Sequence, residues 1–246
     1  MPPLIHQTRP GRASAGQPIG ILLLDTSVPF IPGDVANAST YRFPVRYRKV
    51  DGFTVAQALG RDPSVYDALL DAAGDLVVQG CRAVTGDCGF MGLHQKRLAA
   101  DLDAPVFLSS LLQIPFISLL LPDSARIGVI TADAGGLTDE LLAAVGVTDR
   151  SRLVLAGLED RPAFRRFAIE ETGTLDEEAV RSEMIETASA LVRRDPAVRA
   201  LLLECSLLPP YAADVAQVTG LPVFDYITMI NYVFEAVVKE RFTGFM

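Results

Sequence analysis

Arg82-Ala83-Val84-Thr85-Gly86-Asp87-Cys88 returns later in the chain as Arg199-Ala200-Leu201-Leu202-Leu203-Glu204-Cys205, at an offset of 117 residues. The same offset carries Pro105-Val106-Phe107 onto Pro222-Val223-Phe224, and each triplet begins 17 residues after its cysteine. Between Arg82 and Phe107, seven of 26 positions are identical at that offset, Ala99 and Ala216 among them. Chance would supply roughly one or two in a chain so rich in Ala and Leu, so the pattern reads as a duplicated structural unit. Each copy is a short apolar run ending at a cysteine, the signature of a buried strand with a polar end.

The totals set the outer limits. A chain of 246 residues is ample for one large domain or two lobes of about a hundred residues each. Half the residues are apolar and 21% are charged, as in a soluble globular protein. A net charge of −8, with no long Lys/Arg run, argues against nucleic acid or an anionic membrane as a partner. The three cysteines, Cys81, Cys88 and Cys205, form neither a C-x-x-C pair nor a disulfide framework, which predicts reduced thiols in a cytoplasm. Only two histidines, His6 and His94, are present and neither has ligand spacing to a cysteine, so no metal site is expected. Residues 1–18, rich in Pro, Arg, Ser and Gly, read as a flexible tail rather than a targeting segment. Pro105 to Pro122 is the most apolar run, but Ser109, Ser110, Gln113 and Pro115 break it too often for a membrane span.

Strand and helix patterns alternate along the rest. Ile19 to Leu24 reads as a buried strand ending in Asp25-Thr26-Ser27, and Val28 to Tyr41 as a loop. Phe43, Val45 and Tyr47 suggest a half-exposed strand. Pro63 to Gln79 is expected to be a helix closed by Gly80, and Phe90 to Asp101 another. Ile127-Gly128-Val129-Ile130 resembles Ile19-Gly20-Ile21-Leu22, so Arg126 to Thr131 starts the pattern again. Thr138 should cap one helix, and Thr174 with Glu177 should form a capping box for the long helix to Arg194. Pro209 and Pro210 suit only a first helical turn, and Gly220 ends that helix. Asp225 caps the last, with Lys239 and Arg241 near its C-terminal end. The expected class is α/β: two pseudo-symmetric lobes, each a parallel sheet of about four strands flanked by helices. Lobe 1 would span 19–122, joined by a C-terminal helix over 226–246, and lobe 2 would span 123–225.

Ligands in parallel α/β sheets bind beyond the carboxyl ends of the strands. Asp25, Cys88, Thr131 and Cys205 all fall at such ends, two in each half, and would line one interlobe cleft. Helix N-termini after each cysteine favour thiolate and bind carboxylate or phosphate. Two thiols on opposite faces of a substrate carbon could abstract and return a proton. By strand alternation Asp87 and Glu204 should point away from that cleft. Cys81 and His94 read as packing residues, and Arg42, Arg46 and Arg48 as solvated strand arginines.

Four segments, Leu23–Ser27, Thr85–Met91, Gly128–Thr131 and Leu203–Tyr211, resemble the aspartate/glutamate racemase superfamily, which includes hydantoin racemases, maleate isomerases and arylmalonate decarboxylases. The resemblance runs from about Ile19 to the C-terminus. It implies an isomerase of the PLP-independent, cofactor-free kind and a homodimer, with Cys88 and Cys205 as a catalytic base/acid pair. It places Asp25, Thr26 and Ser27 where they assist the cysteines or hold polar groups of the substrate, and Thr131 and Ser206 as carboxylate contacts. The sequence departs from glutamate racemases after each cysteine. Gly89-Phe90 and Ser206-Leu207 replace Asn-Thr and Thr-His, leaving backbone amides such as that of Gly89 and apolar walls such as Phe90. A less polar carboxylate or an imide-like substrate therefore fits at least as well as an amino acid. The expected function is a racemase or epimerase acting beside a carboxylate or carbonyl. A cis-trans isomerase or decarboxylase using one cysteine, and a non-catalytic carboxylate-binding protein, are the alternatives. No G-x-G-x-x-G or G-x-x-x-x-G-K follows any strand, which weighs against a nucleotide enzyme.

Overall fold

Ile19-Gly20-Ile21-Leu22 and Ile127-Gly128-Val129-Ile130 are the centres of two matching sheets in the computed structural model, which describes residues 6–246. Residues 1–5 of the expected tail lie outside the described residues. The first sheet comprises β1 (Ile19–Leu23), β2 (Val45–Lys49), β3 (Ala83–Gly86) and β4 (Val106–Phe107). The second comprises β5 (Arg126–Thr131), β6 (Leu153–Gly157), β7 (Val198–Leu203) and β8 (Val223–Phe224). Both are wholly parallel, with orders β2-β1-β3-β4 and β6-β5-β7-β8, so the duplication holds at the level of topology. Helices cover both faces, which is why the central strands are apolar along their whole length rather than alternating.

Two glycines show how closely the helices press on the sheets. A Cβ at Gly20 would lie 2.9 Å from Leu76 of the helix Tyr66–Val78. One at Gly128, the matching position of β5, would lie 2.7 Å from Leu191 of the helix Glu177–Arg194. A side chain there would have to displace these leucines from the helix–sheet contact.

Several boundaries differ from the sequence reading for local reasons. Asp176, not Thr174, caps the helix Glu177–Arg194, accepting the Ala179 N–H at 3.0 Å. Asp176 adjoins the first helical residue, whereas the Thr174 hydroxyl lies 3.3 Å from that of Thr172. Cys88 stands at the N-cap of a 3₁₀ turn, Gly89–His94, and only Gln95–Asp101 is α-helical. The helix Tyr226–Val237 stops before Lys239 and Arg241, which therefore lie beyond its last turn. It is capped by Asp225 and lays Tyr226, Met229 and Ile230 against Ile19, Ile21 and Phe107 of the first sheet. An unforeseen short helix, Val55–Gly60, carries a full capping box formed by Thr54 and Gln57. No helix among the described residues is long and apolar enough to cross a membrane.

Hydrogen bonds tie the two sheets together near their carboxyl edges. Ser110 Oγ donates to the Glu204 carbonyl at 3.0 Å, Ser206 Oγ donates to the Asp87 carbonyl, and Tyr226 Oη donates to the Leu108 carbonyl at 2.8 Å.

Candidate active site

A pocket enclosing about 610 Å³ of empty space, its open mouth included, lies beyond the ends of β1, β3, β5 and β7. Both halves of the duplication contribute to it, and Cys88 and Cys205 both line it. Each cysteine is the second residue after its strand, where the chain leaves the sheet. Thr26, Gly89, Phe90 and Ser206 also reach the lining.

Three of the expected contacts are elsewhere. Asp25 turns out to solvent, where its carboxylate binds Lys49 Nζ at 2.9 Å and the Gly52 N–H at 3.2 Å. Ser27 is exposed, and its N–H donates to Glu171 Oε1 at 3.1 Å. Thr131 is fully buried behind the pocket wall, its hydroxyl donating to Glu204 Oε2 at 2.8 Å. Cys81 sits in the core beside Gly20, and His94 packs near Phe53 and Tyr66; neither lines the pocket.

The larger correction concerns the two acids. Asp87 and Glu204 were expected to face away from the cleft, yet both line it. Alternation holds only within a strand, and β3 ends at Gly86 while β7 ends at Leu203. Released from the pleat, both acids turn inward. Asp87 Oδ1 accepts the Leu24 N–H at 3.0 Å, whereas Glu204 is held only through Oε2. Glu204 Oε1 is buried and has no hydrogen-bond partner.

Sequence reasoning also passed over residues that shape the pocket. Val55, Ala58 and Leu59 come from the short helix whose Thr-x-x-Gln box was legible in principle. Ala168 and Ile169 come from a π-helical turn, Arg165–Ile169, which no periodicity announces. Immediately beyond it Glu171, in left-handed conformation at φ 49°, reaches across to the first half. Its Oε1 accepts from the Thr26 hydroxyl and the Ser27 N–H.

Burial dominates the electrostatics. It pushes the Cys88 thiol well above its ordinary value, and the neighbouring Glu204 and Asp87 push further; the amides of Phe90 and Met91 pull the other way. Cys205 is raised as well, by burial first and Glu204 second, against the Leu207 amide. Both thiols are therefore protonated at rest. Burial also raises Glu204 to about 7 and Asp87 to about 8. None of the lining residues is Lys, Arg or His, so the pocket offers acids and thiols and no side-chain cation. Among the described residues, no group of three His, Cys, Asp or Glu could hold a metal ion.

The architecture matches known folds. The chain superposes on a sulfate-associated variant of arylmalonate decarboxylase with a TM-score of 0.60 and 16% identity, covering 91% of this chain and 94% of that one. Allantoin racemase from Pseudomonas fluorescens gives a TM-score of 0.56 at 18% identity, covering 90% and 91%. The fold is thus that of the aspartate/glutamate racemase superfamily. No protein-family model matches the chain.

Sequence relatives point to a narrower group. A dimethylsulfoniopropionate lyase from Durusdinium sp. clade D is 31% identical over 221 residues, covering 87% of this chain and 73% of the relative. Dimethylsulfoniopropionate lyase 6 of Emiliania huxleyi is 34% identical over 223 residues, covering 87% of this chain but only 58% of the relative. The chain belongs to the dimethylsulfoniopropionate lyase family. The racemase expectation, and with it the isomerase class, is overturned: the relatives are named as lyases, and the racemase likeness is one of fold.

Proposed function

We propose that this chain is a carbon–sulfur lyase that eliminates dimethyl sulfide from dimethylsulfoniopropionate or a closely related sulfonium carboxylate. The reading rests on the relatives' activity together with one observation: the pocket puts two thiols beside two buried carboxyl groups and contains no side-chain cation. A substrate carrying a fixed positive charge suits such a pocket, whereas a plain anion does not.

The chemistry asks little beyond a base. One cysteine, as thiolate, takes a proton from the carbon next to the carboxylate. The C–H electron pair becomes the new C=C bond, and the C–S pair departs with sulfur. The products are acrylate and neutral dimethyl sulfide, and the thiol later returns its proton to solvent. Because the leaving group departs neutral, it needs no acid, so a single base suffices where a racemase needs two.

The resting thiols are protonated, which makes substrate binding the trigger. A sulfonium charge in the low-dielectric pocket opposes the carboxylates that raise the thiols, and so favours thiolate only when substrate is present. Donors for the substrate carboxylate are the amides after each cysteine and the Thr26 hydroxyl of the lining, which is followed by the exposed Ser27 N–H. The last two already hold a carboxylate, that of Glu171. Ser206 is less suited to donate, its hydroxyl being engaged by the Asp87 carbonyl. Thiols used as thiolates must stay reduced, which fits a cytoplasmic setting.

The test is to incubate the purified chain with dimethylsulfoniopropionate and follow acrylate and dimethyl sulfide together. Equimolar release supports elimination. Unchanged substrate, with intact reduced thiols, refutes it.

A further inference from the structure

Glu204 is the one acid of the pocket with a fully buried oxygen that makes no hydrogen bond. It is fully buried, and Oε2 is fixed by the Thr131 hydroxyl at 2.8 Å, while Oε1 has no partner. Buried acceptors are nearly always satisfied, and an unpaired one beside a ligand pocket asks what completes it. The nearest neighbour sharpens the question: a Cβ placed on Gly89 would fall 1.5 Å from Oε1. Position 89, directly after Cys88, is therefore empty of side chain in the place where the Glu204 carboxylate sits. The carboxylate thus reaches from the second cysteine's strand end to the first cysteine's turn.

We infer that Glu204 is a specificity-determining residue whose free carboxylate oxygen is the counter-ion of the substrate's sulfonium group. The inference rests on the lyase reading and adds to it the residue that selects a cation over a neutral molecule of the same shape. A sulfonium has no N–H or O–H to donate, so it can be recognised only by charge and by contact with its methyl groups. The pocket supplies both, through the Glu204 oxygen and through apolar walls such as Phe90 and Leu207. Asp87 is the competing acid. Its Oδ1 accepts the Leu24 N–H, which anchors it to the end of β1, whereas the Glu204 carboxylate reaches across to Gly89 of the first cysteine's turn.

The test separates charge from shape. Calorimetry on the full chain compares the zwitterion 3-(trimethylammonio)propanoate, whose cationic group is no facile leaving group, with 4,4-dimethylpentanoate, in which an uncharged carbon replaces the nitrogen. Acrylate release from dimethylsulfoniopropionate is measured on the same preparations. Wild type should bind the zwitterion roughly 10- to 100-fold more tightly than the carbon isostere, as expected for a partly desolvated ion pair. Glu204→Gln should bring the ratio to about one and raise KM far more than it lowers kcat. Gly89→Ala, which expels the carboxylate without altering charge, should reproduce the loss of preference. A ratio near one in wild type, or an undiminished ratio in both folded variants, overturns the inference. If wild type prefers the zwitterion through Glu204 but forms no acrylate, the lyase reading falls and the assignment of Glu204 stands.

Discussion

The Thr131 hydroxyl donates to Glu204 Oε2 at 2.8 Å, joining the end of β5 to the end of β7 inside the second sheet. Thr131 therefore acts on the pocket from behind, by holding the carboxylate that lines it. Because the bond lowers the Glu204 pKa, Thr131→Val should raise it. The variant should lose about 1–2 kcal/mol of stability and need a higher pH to reach its lowest KM. Denaturant melts and KM–pH profiles of the pair check both effects.

Activity should carry the signature of Glu204. Burial raises it to about 7, and the groups that share its surroundings, Cys88, Cys205, Tyr226 and Asp133, include no cation to pull it down. A carboxyl is charged above its pKa, so kcat/KM for a sulfonium substrate should rise with pH through about 7. The gain from Glu204 should be roughly 10- to 25-fold between pH 5.5 and 7.5, and Glu204→Gln should reduce the slope to that of the cysteine base alone. A wild-type profile flat across that range would separate Glu204 from cation binding.

The two cysteines should prove unequal. Elimination of a neutral leaving group uses one base, so one of Cys88→Ala and Cys205→Ala should cost roughly 10³- to 10⁴-fold in kcat and the other distinctly less. Equal, near-complete losses would instead indicate a mechanism that passes the proton between both thiols.

Glu171 holds the Thr26 hydroxyl, a donor of the pocket lining, and the exposed Ser27 N–H beside it. A substrate carboxylate that uses them must displace Glu171 first. Glu171→Ala should then lower KM about 2- to 10-fold, the worth of one or two hydrogen bonds, with kcat little changed. A higher KM would mean that the contact braces the site rather than occupying it.

Stability should decline as the solution becomes less acidic. Burial raises Asp34 to about 7, as it raises Glu204 to about 7 and Asp87 to about 8, all above their unfolded values. Between the unfolded and folded pKa values the folded chain binds more protons, so unfolding becomes easier as pH rises from about 4 to 8. Asp34→Asn should remove part of that slope, at most about 4 kcal/mol across the window. Chemical denaturation at pH 5, 6, 7 and 8 measures it.

The sheets were legible because a duplicated buried strand leaves the same apolar run twice, and Gly20 and Gly128 even repeat the close helix contact. The pocket's thiols were legible for the same reason. Its charge was not. Asp87 and Glu204 lie one residue past their strands, where the two-residue alternation used to place them no longer operates. Thr26 could be foreseen at the site, but its partner Glu171 follows a π-helical turn that leaves no pattern in the residues. Reaction type was hidden more deeply. A strand-end thiol abstracts a proton beside a carboxylate in the same way whether or not a leaving group departs from the next carbon. What distinguishes the cases is the charge facing that leaving group, and this depends on where two acids turn after their strands.

Elimination itself is tested most directly in deuterated water. The purified, reduced chain is incubated with dimethylsulfoniopropionate, and proton NMR follows the vinyl signals of acrylate and the methyl signal of dimethyl sulfide. Their growth in equal amounts, abolished in the Cys88→Ala/Cys205→Ala double variant, is the predicted result. Recovered substrate carrying deuterium beside its carboxylate, with no acrylate formed, would show proton transfer without cleavage and would contradict the account.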